Sequence, residues 1–266
     1  MKEFIEISTP LSSLKTVKLE GSETFRPAAT GLDGDQIRLK TLMEALEISA
    51  SIDRAPGFVS SAAHPERDAA IDNAKREAIE RISVAAWWAF DRPIVGKAAT
   101  IDIAALRKKY TVLSSYEVEV GFVEPVIDDG FAAVSIIENR NEYPYIVLGA
   151  SFDTDRQVAT EKAFVESVQS WTASAWEKEQ GQALDLWDIA ELRRRKLYIE
   201  QSDEINNMPR SAAVDAPSIY LEVDQNPEAY VAWVYADQFV SGRTASLAQL
   251  AIKMNESFYT FTEHNQ

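Results

Sequence analysis

Glu77-x-x-Glu80-Arg81 is the stretch of this chain best equipped for chemistry. Its two carboxylates are three residues apart, on neighbouring turns of one helical face. With an arginine beside them they suit a hard cation and a phosphate. They suit a solvated helix edge equally well, because charge pairs on helices are common. The pattern returns twice. Glu44-x-x-Glu47 repeats it, and Glu166-x-x-Gln169 keeps the same three-residue step. Recurrence on three segments fits a shared polar site better than three unrelated surfaces.

Each segment reads as an amphipathic helix. Ala70, Ala74, Ala78, Ile82 and Ala85 recur at helical spacing within Asp68–Trp88, after Pro65. Gly31-Leu-Asp-Gly34 is a turn, and Asp33 or Asp35 caps a helix running to about Ser51. Asp153-x-Asp155 caps a third helix over Arg156–Glu179, which Gly181 stops. Further helices are expected over Ala104–Lys109, Leu184–Glu200 and Ser246–Met254, with Leu186, Ile189, Leu192 and Leu197 of the second inward.

Strands are expected at Lys15–Glu20, Phe58–Ser61, Tyr116–Val123, Phe131–Glu138 and Tyr145–Phe152. The last of these is mostly apolar and reads as central. Asp128-Asp129-Gly130 reads as a hairpin turn. Ser218–Val223 and Ala229–Tyr235 flank Asn226-Pro227 as a final pair, and Asp91-Arg-Pro93 ends the second helix. The mixture implies an α+β fold, or mixed α/β, in a single domain over 1–266 with a possible joint near 205–217. Most tryptophans read as core, although Trp171 or Trp176 could line an adenine or peptide groove.

The 266 residues suffice for a proper core, and 46% hydrophobic content with a net charge of -15 suits an ordinary globule. That acidity argues against nucleic acid and anionic membranes as partners. Arg193-Arg194-Arg195-Lys196 is the strongest basic run, and it complements a helix dipole or holds an anion. There is no cysteine and there are only two histidines, so thiolate sites and histidine triads are excluded. No apolar run approaches a membrane span and the N-terminus lacks a signal-peptide core, which points to the cytoplasm.

Three segments together resemble the YcaO family, which uses ATP to activate peptide backbone amides. They are Gly31-Leu-x-x-Asp35 through Glu44-Ala-x-Glu47, Ala69-Ala-Ile through Glu77-x-Ile-Glu80-Arg81, and Gly149-Ala-Ser-x-Asp153 through Glu166-x-x-Gln169. Their order and approximate separation agree with the family. The resemblance implies an α+β, YcaO-like fold with mixed sheets and long amphipathic helices lining an ATP site. It also implies ATP and Mg as cofactors. Glu44, Glu47, Glu77 and Glu80 would hold the metal, while Arg81, Lys162, Glu166 and Gln169 would contact the nucleotide. No catalytic residue is assigned, and no Walker A loop is present.

The implied function is azoline or thioamide formation on a ribosomally made precursor peptide. A partner protein would recognise the leader, in a hetero-complex or a homodimer. Departures from the family pattern motivate an alternative. Ile48 follows Glu47 where arginine is usual, and Lys162 stands where arginine precedes the third-helix glutamate. Lysine keeps the charge but loses the bidentate fork. The alternative is a catalytically degenerate scaffold or peptide-binding subunit. A third reading is an acidic α+β interaction protein whose carboxylate pairs lie on its surface.

Overall fold

A computed structural model describes residues 3–21, 27–51, 58–90, 94–126, 129–181, 189–201 and 219–236. In chain order they form β1 (Phe4–Ser8), β2 (Lys15–Leu19), β3 (Ala28–Gly31), α1 (Gly34–Ser51), β4 (Phe58–His64) and α2 (Arg67–Phe90). Then come β5 (Ile94–Lys97), α3 (Thr100–Lys109), β6 (Glu117–Val123), β7 (Phe131–Glu138) and β8 (Ile146–Asp153). The chain continues through α4 (Arg156–Glu179), α5 (Ile189–Glu200), β9 (Ile219–Gln225) and β10 (Tyr230–Ala236). This is the α+β fold the sequence implies. Among the described residues the strands pair antiparallel in three sheets, ordered β1-β2-β3, β4-β10-β9 and β5-β6-β7-β8. Trp187, Leu186, the loop at Met208–Ala216, the helix expected over Ser246–Met254 and the stop at Asp91-Arg-Pro93 lie outside the described residues. Among those described, no helix is long and apolar enough to cross a membrane.

Backbone packing gathers the chain into two units that divide inside α1, between Leu42 and Met43. The first unit holds β1–β3, the start of α1, β5–β8 and α3–α5. Phe164, Val168 and Trp171 of α4 pack with Val118, Val120, Phe122 and Val147 of the four-stranded sheet. Helix α4 lies so near β8 that a Cβ at Gly149 would collide with the backbone of Ala163, Glu166 and Ser167. The helix begins where Asp155 accepts from the N–H groups of Gln157 and Val158, and ends before Gly181 at φ +75.

Two expectations need correction here. Among the described residues β8 is at the edge of its sheet, paired with β7, where the sequence reading makes it central. Its apolar run is explained by the cover of α4 rather than by strands on both sides. Leu197 was expected inward and is exposed, whereas Arg195 and Lys196 are buried. The basic run therefore does more than complement a helix end. Lys196 Nζ pairs with Glu117 and with Glu138 at 2.9 Å, and Arg193 Nε meets Glu138 at 2.9 Å. These contacts tie α5 to β6 and β7.

The sheet β1-β2-β3 anchors the start of α1. Asp33 caps the helix through the N–H groups of Asp35 and Gln36. One turn on, the buried Thr41 hydroxyl donates to Val17 O of β2 at 2.9 Å.

The second unit is a layered sandwich built on β4-β10-β9. Ala70, Ala74, Ala78, Ile82 and Ala85 of α2 cover one face, against Val59, Ala62, Ala232 and Val234. Alanine at helical spacing lets this helix approach the sheet closely. Met43, Leu46 and Ala50 of α1 cover the opposite face, against Ala63, Val231, Trp233 and Tyr235. Among the described residues β4 is at the edge of its sheet, between the two helices.

Candidate functional site

An edge strand carries backbone donors and acceptors that its sheet does not satisfy. On β4 two of them are met by charged side chains. The N–H of Ala63 donates to Glu47 Oε1 at 2.7 Å, from α1 on one side. Arg81 Nη1 donates to Val59 O at 3.1 Å, from α2 on the other. The second terminal nitrogen of Arg81 pairs with Glu77, one turn earlier on the same helix. Glu77 and Arg81 are 30% and 16% exposed in their side chains, and Glu80 is half-buried. The carboxylate pair is thus not a fully solvated edge.

Glu47 is the electrostatic centre of this group. Burial pushes its carboxyl well above the usual carboxylate range, and the charge of Glu77 pushes it further. The Ala63 N–H pulls it back, Glu44 raises it again, and Arg81 pulls it back. Glu44, Glu47, Glu77 and Arg81 therefore act on one another across α1 and α2. Glu80 is not among the groups that shift Glu47, and it has an interaction of its own within the chain.

The donor set fits a hard divalent cation. Several carboxylates are crowded at one partly dehydrated place, and a positive charge would relieve both their repulsion and the cost of ionising Glu47. Among the described residues no three acidic or histidine side chains stand at the spacing of a closed metal cage. Mg2+ is commonly held by one or two carboxylates together with phosphate and water oxygens, so such a cage is not needed.

The third motif lies on α4 in the first unit. Lys162 Nζ pairs with Asp153 at 2.9 Å and Glu166 is exposed. The Gln169 amide donates to Ala28 O of β3 at 3.0 Å, so its nitrogen braces that strand. Trp171 is 1% exposed and packs edge-on against Tyr116, which makes it core rather than groove. Trp176 carries the Lys18 ammonium over its ring, at 4.4 Å from the centroid.

Sequence reasoning missed the role of β4 because it ended that strand at Ser61. The strand runs to His64, and Ala63 supplies the N–H that fixes Glu47. The available signal was the small-residue run Ser60-Ser61-Ala62-Ala63, which suits close packing between two helices.

The family model described as YcaO cyclodehydratase, ATP- and Mg2+-binding, matches residues 55–239. Two solved structures share the fold. YcaO from Methanopyrus kandleri, bound with AMPPCP and Mg2+, aligns with a TM-score of 0.60 at 13% identity, over 87% of this chain and 84% of that one. A chain of the E. coli microcin synthetase McbBCD complex aligns with a TM-score of 0.54 at 10% identity, over 88% and 86%. No curated protein matches the chain by sequence.

Proposed function

The chain belongs to the YcaO family, and from that premise we propose that it binds ATP with Mg2+ to modify the backbone of a ribosomally made peptide. The observation that carries the proposal is the Glu47 carboxyl, held on the Ala63 N–H and crowded by Glu77, Glu44 and Arg81.

When bound, ATP supplies the phosphoryl group that makes a peptide amide oxygen a leaving group, and Mg2+ neutralises the charge of the triphosphate. Glu44, Glu47, Glu77 and Glu80 are the residues assigned to the metal. The Ala63 N–H fixes one oxygen of Glu47, whose carboxyl feels the charge of Glu77. Arg81 is anchored by Val59 O and Glu77, which limits its motion and leaves its charge beside the carboxylates. A fixed cation of this kind contributes to phosphate binding with little loss of side-chain freedom. Lys162, Glu166 and Gln169 are assigned to the nucleotide on their sequence motif alone.

The product is an azoline or a thioamide within the precursor peptide. A leader-recognising partner is part of the proposal, as is action in the cytoplasm and a single YcaO-like domain across 1–266. The E. coli relative is a synthetase complex, which supports a hetero-complex for this chain as well.

One observation favours the alternative of a degenerate scaffold subunit. Glu47, Glu77 and Arg81 are all engaged within the chain, bracing β4 between its two helices. Calorimetry separates the readings. The ATP-binding protein gives saturable heat with AMPPCP and Mg2+, and loses it when EDTA removes the metal. A scaffold gives no heat in either condition. If nucleotide binds, mass spectrometry of a treated precursor peptide then reads loss of water for an azoline, or sulfur in place of oxygen for a thioamide.

A further inference from the structure

Two serines stand side by side on β4 and are treated differently. Ser60 is fully buried, and its hydroxyl donates to Ala74 O of α2 at 2.6 Å. Ser61 is 1% exposed, and its Oγ has no hydrogen-bond partner among the described residues. Buried hydroxyls are nearly always paired, and an orphan lowers stability. Alanine would fill the same space without that cost, as Ala62 and Ala63 do on the same strand.

The place of Ser61 suggests what completes it. Ser61 is directly opposite Trp233 on β10, and cross-strand partners share a face. Trp233 packs with Ala63 against Met43, Leu46 and Ala50 of α1. The Ser61 side chain is therefore on the α1 face, the side from which Glu47 reaches β4. It is two residues, or roughly 7 Å of strand, from Ala63, whose N–H holds Glu47. A buried donor without a partner thus shares a strand face with Ala63, whose N–H holds Glu47.

We propose that Ser61 Oγ is a further ligand contact of this site, donating a hydrogen bond to a phosphate oxygen of Mg2+-bound ATP. The inference rests on the ATP-binding reading above. The carboxylates provide the hard donors for the cation, and the hydroxyl provides a neutral donor for the phosphate that accompanies it. Ser60 serves the fold, and Ser61 serves the ligand.

The test compares Ser61→Ala, Ser60→Ala and Glu77→Gln with the unaltered protein. Each is titrated with AMPPCP and Mg2+ by calorimetry, and each is melted without ligand. Ser61→Ala is expected to weaken binding by about 10-fold or more, the loss of one hydrogen bond to a charged group. Its ligand-free melting temperature should equal or exceed that of the unaltered protein. Ser60→Ala should show the reverse, with a lower melting temperature and unchanged affinity in the folded protein. Unchanged affinity in Ser61→Ala, with Glu77→Gln impaired, would overturn the Ser61 contact and leave the site reading standing. A lower ligand-free melting temperature, or failure to fold, in Ser61→Ala would also overturn it, by revealing a structural partner for the hydroxyl. An unaltered protein that takes up no nucleotide would overturn both readings.

Discussion

Glu77→Gln is expected to weaken binding of ATP with Mg2+ by about 100-fold, while the ligand-free protein stays within about 1 kcal/mol of its original stability. The asymmetry follows from the charges around Glu77. Without a cation, its negative charge helps to push Glu47 up, so removing it relieves repulsion. The pair with Arg81 is lost at the same time, but that pair is a partly exposed one within a single helix, which contributes little. The two effects oppose each other and leave the fold nearly unchanged. With a cation present the balance differs. The amide of glutamine offers a weaker, neutral donor where a hard divalent ion requires charge. Glu47→Gln should behave alike, since its amide oxygen can still accept from Ala63 N–H and only the charge is removed. Both effects are read by calorimetry with AMPPCP and by ligand-free unfolding in urea.

Lys196→Met is expected to destabilise the protein by about 3–5 kcal/mol, the cost of leaving a buried carboxylate without its partner. Lys196 and Glu138 are 5% and 2% exposed in their side chains, and their contact is 2.9 Å. Glu138 also meets Arg193, so part of its charge remains balanced and the lower end of that range applies. Replacing both residues, as Lys196→Met with Glu138→Met, should recover much of the loss, because the double change removes the orphaned charge as well.

The same pair sets an acid limit on stability. Burial alone would raise the Glu138 carboxyl, but hydrogen bonds from Lys196 and Arg193 outweigh it and hold the group below its ordinary value. Its contribution is therefore complete above the unfolded carboxylate value of about 4.3 and is lost as pH falls through the lower folded value. For Lys196, burial lowers the ammonium value and the bonds to Glu117 and Glu138 more than restore it. That contribution is complete below about pH 10.4 and is lost as pH rises through the raised folded value. Urea unfolding across pH should fall at both ends in the unaltered protein. The fall at the acid end should shrink in the double variant.

Which features were legible in the sequence follows from how local their causes are. The cap at Asp155, the stop at Gly181 and the turn at Asn226 were readable because each involves residues only a few positions apart. Strands β3 and β5 have four residues each, too few for alternation to register. Strand β8 looked central because apolarity records cover, not which element provides it. The run Arg193–Lys196 reads as a helix-dipole complement or an anion site because a charged run carries no mark of the carboxylates, more than 50 positions away, that Arg193 and Lys196 meet.

The site divides along the same line. Glu44, Glu47, Glu77 and Arg81 were assigned from spacing and resemblance, and side-chain charge alone brings them into one electrostatic group. What spacing could not reveal was the edge of β4. The bonds from Ala63 to Glu47 and from Arg81 to Val59 involve backbone atoms, which every residue type shares. The idle hydroxyl of Ser61 is likewise apparent only once burial and neighbours are known. The braced state of Gln169 depends on a carbonyl 141 positions away.

The most direct test is an experimental structure of the protein with AMPPCP and Mg2+. A cation should lie about 2.0–2.1 Å from a carboxylate oxygen of Glu47 or Glu77, the distance Mg2+ demands, with the triphosphate beside Arg81. Nucleotide bound elsewhere, or Glu47 and Glu77 unmoved with no cation between them at saturating Mg2+, would contradict the account.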